Sequence, residues 1–305
     1  SDISIYRNIY DDLKQITGGF FAQNRIQLNE KLLLGLGLRF DYRNVDRGSE
    51  FSYKSFSDVS PKINLTFKRD NFSTWNFALS KGFRSPSLSE LFLQYESDYG
   101  LNTQGNPNLE PEQLYGLDIS FDRSNKSNLT YSVSTFYYKY EDMIDFVYGL
   151  PVIALNRSDI SSCGLESNIS YQLNTNFNLD LGYTYLRVND INDIDPILYR
   201  PNHKLISSIK YKSNNIRHII SMRYQSEQDY QDFLSDEREY EGSEIKFPIE
   251  QLDSLILFNY IGSYELNNRD KISLKISNLF DKQYELIQDF PMPGRTISLM
   301  YDKTF

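Results

Sequence analysis

Apolar and polar side chains alternate along most of the chain. From residue 32 to residue 43 the even positions are apolar, and the odd positions carry Gly, Arg, Asp and one Leu. From residue 177 to residue 185 the odd positions are apolar and the even positions are Asn, Asp, Gly and Thr. A period of two is typical of a strand with one apolar and one polar face. The pattern predicts about thirteen strands, near 16–29, 32–45, 58–69, 73–84, 113–123, 129–147, 157–173, 176–189, 202–213, 216–229, 250–266, 270–284 and 295–305.

The connections between these strands are alternately short and long. The short ones are 29–31, 69–71, 123–128, 174–176, 213–215 and 267–270. The long ones are 46–57, 85–112, 148–156, 190–201, 230–249 and 285–294. Short turns at one end of a sheet and long loops at the other are typical of an outer-membrane barrel. The predicted strand lengths of ten or more residues agree with this interpretation, because a tilted membrane strand needs about nine to eleven residues.

A soluble β-sandwich or soluble barrel would also alternate. Its second face would not need charged residues on nearly every strand, and tyrosines would not need to gather near strand ends as they do in an interfacial girdle. We find no period of about 40–45 residues, so the pattern does not favour a propeller. The sequence therefore predicts an all-β fold, an antiparallel transmembrane β-barrel segment with short periplasmic turns and long extracellular loops.

Composition narrows the possible functions. The chain has 41 Asp+Glu against 32 Lys+Arg, which argues against a nucleic-acid binder because phosphate recognition needs a basic face. Mean hydropathy is −0.52, and no uncharged run approaches the roughly 18 residues of a transmembrane helix. The single Cys163 excludes an internal disulfide and a cysteine-based zinc site. The chain opens on "SDISIYRN", without Met, so we expect a mature form or a fragment.

The sequence offers no catalytic constellation. We find no nucleophile elbow, P-loop or zinc-protease motif, and neither His203 nor His218 neighbours an obvious nucleophile. We therefore expect a protein that is not an enzyme and needs no cofactor. An outer-membrane barrel enzyme or a passive channel remains the alternative.

Three loop features have structural and functional interpretations. Ser87 and Glu90 form the sequence of a capping box, which predicts a short helical turn that opens the 85–112 loop and helps to hold it. Residues 226–246 contain eight carboxylates and two basic residues, as expected for a solvated extracellular loop; a cation or partner surface is the alternative. Asp190, Asp193 and Asp195 are candidate calcium ligands, although they lack the Gly and closing Glu of an EF-hand loop.

Five ordered segments carry a resemblance to a known family. They are SKGFRSPSLSELF (80–92), GNPNLEPEQLYGLDIS (105–120), NRSDISSCGLESNISYQL (156–173), RPNHKLISSIKY (200–211) and SNLFDKQYELIQDFPMPGRTISLMY (277–301). Together they resemble the TonB-dependent outer-membrane receptors. Within that family, the segment DFPMPGRT (289–296) looks most like cobalamin-type receptors and their siderophore-binding relatives.

The resemblance implies an architecture and partners. Such receptors have a barrel of about 22 strands around an N-terminal plug that carries the TonB box. Thirteen strands cannot complete that barrel, so we interpret 1–305 as the C-terminal part, with the plug and early strands upstream. The implied partners are outer-membrane lipid of a Gram-negative bacterium, TonB through an upstream segment, a metal chelate, and the barrel assembly machinery. That machinery would read an alternating C-terminal strand, here Ile297, Leu299, Tyr301 and Phe305.

The implied activity is uptake of a scarce metal chelate, with cobalamin as the first candidate and a ferric siderophore as the second. FRSP (83–86) and NPNL (106–109) also resemble the paired boxes of haem receptors. Because 87–105 contains no His and no Met, haem is disfavoured, although a tyrosine could ligate its iron in principle. The ligand contacts expected from the long loops are Tyr95, Tyr99, Tyr148, Tyr230 and Gln288.

Overall fold

A computed structural model describes most of the chain. The described residues are 13–46, 54–96, 102–124, 128–147, 152–156, 159–191, 197–232, 235, 237, 239–241 and 244–304. They form one helix and twenty-one strands. The elements are β1 (Lys14–Asn29), β2 (Leu32–Asp46), β3 (Lys54–Asp70), β4 (Ser73–Arg84), α1 (Leu88–Phe92), β5 (Gln94–Glu96), β6 (Asn102–Gln104), β7 (Glu112–Ser124), β8 (Leu129–Glu141), β9 (Ile144–Val147), β10 (Val152–Asn156), β11 (Ile160–Gln172), β12 (Phe177–Asp190), β13 (His203–Ser213), β14 (Ile216–Gln225), β15 (Gln228–Gln231), β16 (Glu239–Glu241), β17 (Glu244–Lys246), β18 (Ile249–Leu252), β19 (Leu255–Glu265), β20 (Asp270–Ser277) and β21 (Thr296–Lys303).

Thirteen of these strands form one antiparallel sheet, which we call the main sheet. Its order is β1-β2-β3-β4-β7-β8-β11-β12-β13-β14-β19-β20-β21, so each strand pairs with the next main-sheet strand along the chain. Within the described residues no ladder joins β1 to β21, and the sheet is open at these two edges. The predicted set of about thirteen long antiparallel strands is confirmed.

The register keeps one apolar face continuous across the main sheet. Leu36 lies opposite Ile63, and Ile63 lies opposite Leu79. The row continues through Leu117 to Tyr137. Directly opposed residues share a face, so this row extends over five strands. Much of the face is uncovered, and at the two edges Phe20 is 78% and Leu299 is 75% exposed. An exposed apolar band of this kind is what a membrane barrel presents to lipid.

The opposite face is polar and its side chains bond across strands. Asp180 on β12 accepts hydrogen bonds from Ser170 of β11 (2.8 Å) and Ser208 of β13 (3.2 Å). Lys210 of β13 also forms an ion pair with Asp180 at 2.8 Å. These contacts join three strands on the face that the sequence predicted to be polar.

Glycine is required where aromatic rings cover the polar face. A Cβ on Gly164 would lie 2.5 Å from a ring carbon of Phe136 and 2.5 Å from the carbonyl oxygen of Tyr185. The Phe136 ring in turn stacks on Tyr138, with centroids 5.1 Å apart. An aromatic ring lying over a cross-strand glycine pins the register of neighbouring strands.

One predicted strand, 129–147, is two strands in the structure. The main-sheet strand β8 ends at Glu141, and Asp142 has a φ of 54°. A left-handed residue turns the chain out of an extended ladder. Residues Ile144–Val147 then pair with β10 in a separate four-stranded sheet of β5, β6, β9 and β10.

Three further boundaries differ from the prediction. The predicted strands 216–229 and 250–266 are each interrupted, because β15 and β18 form a pair of their own beyond the main sheet. The predicted strand 270–284 ends at Ser277. Asn278 has a φ of 51°, and its side chain both donates to and accepts from the backbone of Lys282 (2.8 and 2.9 Å), which closes a turn.

The connections confirm the predicted polarity of the sheet. The main-sheet connections 30–31, 71–72, 125–128, 173–176, 214–215 and 266–269 lie at one end, here called the short-turn end. The connections 47–53, 85–111, 142–159, 191–202, 226–254 and 278–295 lie at the other, the long-loop end. Over the described residues, no helix has the length and apolar character needed to cross a bilayer.

Candidate functional site at the long-loop end

The first group of residues at the long-loop end is a small hydrophobic core, which we call the apolar loop cluster. It comprises Val45, Phe56, Leu91, Phe92, Leu109, Ile144 and Ala154. By strand alternation Val45 and Phe56 lie on the polar face of the main sheet, at the ends of β2 and β3. The connection 85–111 therefore folds across that face and supplies the apolar side chains that cover them.

The helix α1 within this connection has the predicted capping box. The Oγ of Ser87 accepts from the backbone N–H of Glu90 at 3.2 Å, and the Glu90 carboxylate accepts from the N–H of Ser87 at 2.6 Å. Arg84 contacts Glu90 at 2.9 Å and Glu112 at 2.6 Å, so one guanidinium joins the two ends of the connection. Burial alone would raise the pKa of Glu90, but the hydrogen bonds from Arg84 and Ser87 outweigh it and the pKa is lowered.

Two more cations hold the connection from the main sheet. Arg43 donates to the Oγ of Ser85 (2.9 Å) and to the carbonyl of Pro86 (2.7 Å). Lys54 donates to the carbonyls of Pro107 (3.1 Å) and Leu109 (2.6 Å). These contacts satisfy loop carbonyls that the apolar cluster would otherwise leave buried without a donor.

Close backbone packing completes this arrangement. A Cβ on Gly105 would lie 2.5 Å from the backbone nitrogen of Phe92 and 2.7 Å from that of Leu93. The N–H of Gly105 donates to the carbonyl of Leu93 at 2.6 Å. The two halves of the connection thus touch through their backbones, which favours a fixed loop over a mobile one.

Tyr95 lies beside this cluster. It is on β5, which pairs with β6, and its side chain is 46% exposed. Of the predicted ligand contacts that lie within the described residues, Tyr95 is therefore the one placed on a strand with an accessible ring. Tyr99 and Tyr148 lie outside the described residues.

The second group at this end is the polar loop cluster, formed by buried Gln225, Ser226, Gln228 and Tyr230. Gln225 donates to the side chain of Gln228 at 3.3 Å, and Gln228 donates to the carbonyl of Leu286 at 2.9 Å. The connection 226–254 is thereby joined to the connection 278–295. In contrast to the first cluster, these two contacts are hydrogen bonds between uncharged groups.

Two of the predicted ligand contacts belong to these connections. The hydroxyl of Tyr230 donates to Glu250 at 2.6 Å, and this hydrogen bond, with a further contribution from burial, raises the pKa of Tyr230 to about 12. Gln288 is half-buried and donates to Asp289 at 3.4 Å. The structure does not bring Tyr95, Tyr230 and Gln288 together around one common contact, and their role in binding stays a prediction.

The candidate metal ligands are only partly within the described residues. Asp190 is the last residue of β12, whereas Asp193 and Asp195 lie outside the described residues. The described part of the chain contains no group of three or more His, Cys, Asp or Glu arranged to hold a metal ion. The two histidines bond to tyrosines: the Nδ1 of His203 lies 2.9 Å from the hydroxyl of Tyr183, and that of His218 lies 2.8 Å from the hydroxyl of Tyr260.

The predicted assembly strand is an edge of the main sheet. In β21, Ile297, Leu299 and Tyr301 lie opposite apolar residues of β20 and so share the apolar face. Phe305 lies outside the described residues. The use of this strand as an assembly signal stays a prediction.

Sequence reasoning found the capping box but missed the cations around it. Lys54 reaches a carbonyl 53 residues away, and Arg43 reaches one 43 residues away. No local spacing marks such contacts. The only signal in the sequence was Arg84 within FRSP, which the resemblance assigned to a haem-receptor box and not to loop closure.

Comparison with known proteins bears on both fold and family. A family model described as "TonB dependent receptor-like, beta-barrel" matches residues 2–279. The iron-regulated outer membrane virulence protein of Vibrio cholerae serotype O1 is 24% identical over 213 residues, which cover 64% of this chain and 31% of that protein. This chain therefore spans about a third of the length of that curated relative.

Solved structures give the same fold. The copper transporter OprC superposes with a TM-score of 0.80 at 21% identity, over 96% of this chain and 48% of its own. The siderophore receptor PirA from Acinetobacter baumannii gives 0.76 at 17% identity, over 95% and 46%. The ferric-catecholate import receptor Fiu from E. coli K12 gives 0.75 at 14% identity, over 96% and 45%.

These matches agree with the thirteen-stranded sheet, its continuous apolar face and its two kinds of connection. The family and the structural neighbours are receptors and transporters, not enzymes, as the sequence indicated. The family model covers most of the chain. The chain belongs to the TonB-dependent receptor β-barrel family.

Proposed function

We propose that residues 1–305 form the C-terminal part of the barrel of an outer-membrane receptor that imports a metal chelate. The observation that carries this proposal is the main sheet itself. It has a continuous exposed apolar face, a polar face with bonded side chains, and long connections at one end, of which 85–111 folds across the polar face. A sheet of this kind suits a lipid-embedded barrel whose mouth is narrowed by its loops.

The first candidate ligand is a ferric siderophore, and the second is cobalamin. The Vibrio cholerae relative is named for iron regulation, PirA is named a siderophore receptor, and OprC a copper transporter. None of these three names refers to cobalamin, which the sequence alone placed first. Cobalamin is kept because the segment DFPMPGRT (289–296) resembles the cobalamin-type receptors.

The two loop clusters would have different tasks in uptake. The apolar loop cluster holds 85–111 in place, so Tyr95 is presented from a fixed platform. The polar loop cluster joins 226–254 to 278–295 through hydrogen bonds, which a polar ligand can replace at little net cost. Contacts from Tyr95 and Gln288 would then reach the ligand from opposite loops of the mouth.

The partners follow from the same architecture and are part of the proposal. The apolar face contacts outer-membrane lipid, and the barrel assembly machinery reads the strand containing Ile297, Leu299 and Tyr301. Coupling to TonB uses a segment upstream of these residues. The location is the outer membrane of a Gram-negative bacterium.

Uptake of labelled ligands by the full-length protein tests the proposal. Cells that lack their own receptors and express this one are given radiolabelled ferric siderophores, cobalamin or copper, with and without functional TonB. TonB-dependent accumulation of a ferric siderophore is expected, with a loss of about tenfold or more for Tyr95→Ala. Tyr171→Phe, a change on the apolar face of β11 at the short-turn end, is the control. Uptake of cobalamin alone would reverse the order of candidates, and equal TonB-independent entry of all solutes would indicate a passive channel.

A further inference from the structure

The polar face of the main sheet is divided into an acidic part and a basic part. On β7, β8, β11 and β12 the described residues of this face include no Lys or Arg. Their carboxylates are Glu112, Asp118, Asp122, Glu166, Asp180 and Asp190. On the next four strands, β13, β14, β19 and β20, the same face has one carboxylate, Glu265. Its cations are Lys204, Lys210, Lys212, Arg217, Arg223, Lys271 and Lys275, and we call these four strands the basic part.

Most cations of the basic part have no carboxylate partner. Lys210 pairs with Asp180 at 2.8 Å, and over the residues that the structure describes it is the one cation of this set with an ion pair. Glu265 lies diagonal to Arg217 in the ladder, yet these two side chains form no ion pair. On β4, in contrast, Arg84 pairs with two glutamates. The basic part therefore presents positive charge that its own strands do not neutralise.

Two of these cations face each other at the short-turn end. Lys212 on β13 lies directly opposite Arg217 on β14, next to the last pair of the ladder, and both side chains are exposed. Like charges in directly opposed positions destabilise a ladder. An anion placed between the two side chains would remove this repulsion, which is the first observation that indicates a ligand here.

A cavity of about 430 Å³ lies beside this pair and is the second observation. It is lined by Gln172, Asn174, Thr175, Asn176, Phe177, Asn178, Lys210, Tyr211, Lys212 and Arg217, a set with three cations, four amides and no carboxylate.

The charged groups of this lining all lie on the water-facing side of the sheet. Lys210 is opposite Asn178, and Lys212 is opposite Arg217, which places these residues on the polar face by strand alternation. Phe177 and Tyr211 belong to the apolar face, where their rings pack together with centroids 4.8 Å apart.

The turn that closes the cavity is held against β13. The Oδ1 of Asn174 accepts from the N–H of Asn176 at 2.9 Å, and the side chain of Asn176 donates to the carbonyl of Lys212 at 2.7 Å. The N–H of Lys212 in turn donates to the carbonyl of Asn176 at 2.8 Å. The side chains of Lys212, Arg217 and Gln172 form no hydrogen bond with another described residue, so their donors are open to a ligand.

An oxyanion fits these donors. A lysine supplies a point charge, and an arginine supplies two parallel N–H groups that match the oxygens of a carboxylate or phosphate. A metal cation is disfavoured because the lining contains cations and no carboxylate. An apolar ligand is disfavoured because it would bury amide and charged groups without partners. A cleft lined by one sign of charge also concentrates ligands of the opposite sign.

The cavity is remote from the long loops. Lys204 is near the long-loop end of β13, and at about 3.3 Å per residue Lys212 lies roughly 26 Å further along the strand. The acidic connection 226–254 starts and ends at the opposite end of the sheet. A solute that enters the barrel between the long loops would therefore reach this cavity last.

We propose that Lys212, Arg217 and Gln172 bind an oxyanion on the polar face at the short-turn end of the sheet. The site holds the negatively charged groups of an imported chelate as it leaves the barrel. This second statement rests on the proposed function, whereas the binding of an oxyanion does not.

Binding of inorganic pyrophosphate to the full-length protein in phosphatidylcholine nanodiscs tests the site by titration calorimetry. Lys212→Gln and Arg217→Gln each remove one cation, and Lys212→Arg keeps the charge. Lys68→Gln is the matched control, because Lys68 is an exposed cation on the polar face at the short-turn end but lies outside the cavity. Gel mobility before and after boiling checks that each variant folds.

We expect saturable binding that weakens about tenfold or more in each glutamine variant of the site. Lys212→Arg should bind within about threefold of wild type, and Lys68→Gln should bind as wild type does. Absence of saturable binding would overturn the site, and it is the result expected if carboxylates elsewhere in the full-length protein pair with both cations. Equal weakening by Lys68→Gln would overturn it as well, because the effect would then come from overall charge.

The role in release is tested by uptake of two ferric chelates of the same scaffold, one with free carboxylates and one with these groups as amides. Lys212→Gln should lower TonB-dependent uptake of the anionic chelate about fivefold or more, leave uptake of the neutral one unchanged, and leave binding of both to the cell surface unchanged. An equal effect on both chelates, or none on either, would overturn this role. If wild type imports neither chelate, the proposed function fails and takes the role in release with it, while the pyrophosphate result still decides the site.

Discussion

The two loop clusters at the long-loop end close long connections by opposite means. The apolar loop cluster buries seven side chains and adds Arg43, Lys54 and Arg84 from the strands. The polar loop cluster buries glutamine, serine and tyrosine side chains that bond to one another, to backbone and, for Tyr230, to the carboxylate of Glu250. Both lie at the same end of one sheet, so the difference comes from the connections and not from the scaffold.

The comparison indicates which loops can respond to a ligand. Opening the apolar loop cluster would expose hydrophobic side chains to water, a loss that a polar ligand does not restore. Opening the polar loop cluster exchanges hydrogen bonds for others of similar strength. We therefore expect the described residues of 85–111 to stay fixed during binding and those of 226–254 to move with 278–295.

The largest effect is expected from Leu109→Ala. Leu109 is fully buried, and removing its side chain should lower the free energy of opening of the 85–111 connection by about 2–5 kcal/mol. Hydrogen exchange of the connection in the membrane-embedded protein measures this. The matched control is Leu155→Ala, because Leu155 lies on β10 beside the cluster but is 36% exposed. Equal acceleration of exchange by both variants would mean that the cluster is not a core.

An intermediate effect is expected from Lys54→Met. Methionine keeps an apolar stem but removes the donor to the carbonyls of Pro107 and Leu109. A hydrogen bond from a charged group contributes about 1.5–3 kcal/mol, so the free energy of opening of the 85–111 connection should fall by about that amount. Cleavage by a protease added to whole cells reports it. Lys62→Met, on the same strand and face, is the control, and a similar cleavage rate for both would contradict the assignment.

The smallest effect is expected in the polar loop cluster, from Tyr230→Phe. Glu250 is exposed, so water can replace the lost donor, and removing this hydrogen bond should cost only about 0.5–1.5 kcal/mol and change binding of the ligand little. The raised pKa gives a second test. Tyr230 holds its proton more tightly in the folded protein than in the unfolded chain. The stability that this hydrogen bond contributes is therefore complete below about pH 10 and is lost as the pH rises to about 12.

That pH dependence is measured by the rate of limited proteolysis of the 226–254 connection between pH 9 and pH 12. Wild type should loosen across this range more than Tyr230→Phe, which has no phenol to titrate. Identical profiles for the two proteins would show that the hydrogen bond to Glu250 does not hold this connection.

The main sheet could be predicted from sequence because its signal is local. A period of two in 32–43 already fixes which side chains of β2 share a face, and the register only aligns it with β3. Two of the missed boundaries, in 129–147 and 270–284, depend on single residues with positive φ, Asp142 and Asn278, and the other two depend on the pairing of β15 with β18. Asparagine and aspartate adopt this conformation more readily than most residues, but the sequence does not say which of many will do so.

The candidate site could be predicted only in part. The capping box of Ser87 and Glu90 is a spacing of three and was visible. The contacts of Lys54 were not visible, because they depend on where distant strands end. Tyr230 was predicted to contact the ligand. In the structure its hydroxyl bonds to Glu250, a contact that depends on the fold around it and not on the local sequence.

The central claim is that one face of the main sheet contacts lipid and the other contacts water. Nitroxide labels at Leu34 and Leu36, and separately at Gly35 and Gly37, test it in the full-length protein with Cys163 replaced by serine. The glycine positions accept a side chain, since the nearest atoms to an added Cβ are 3.6–3.7 Å away. In liposomes the labels at the leucine positions should be relaxed by oxygen and shielded from a nickel chelate, and those at the glycine positions should show the reverse. Equal accessibility at all four positions, or nickel contact at the leucines, would contradict the account.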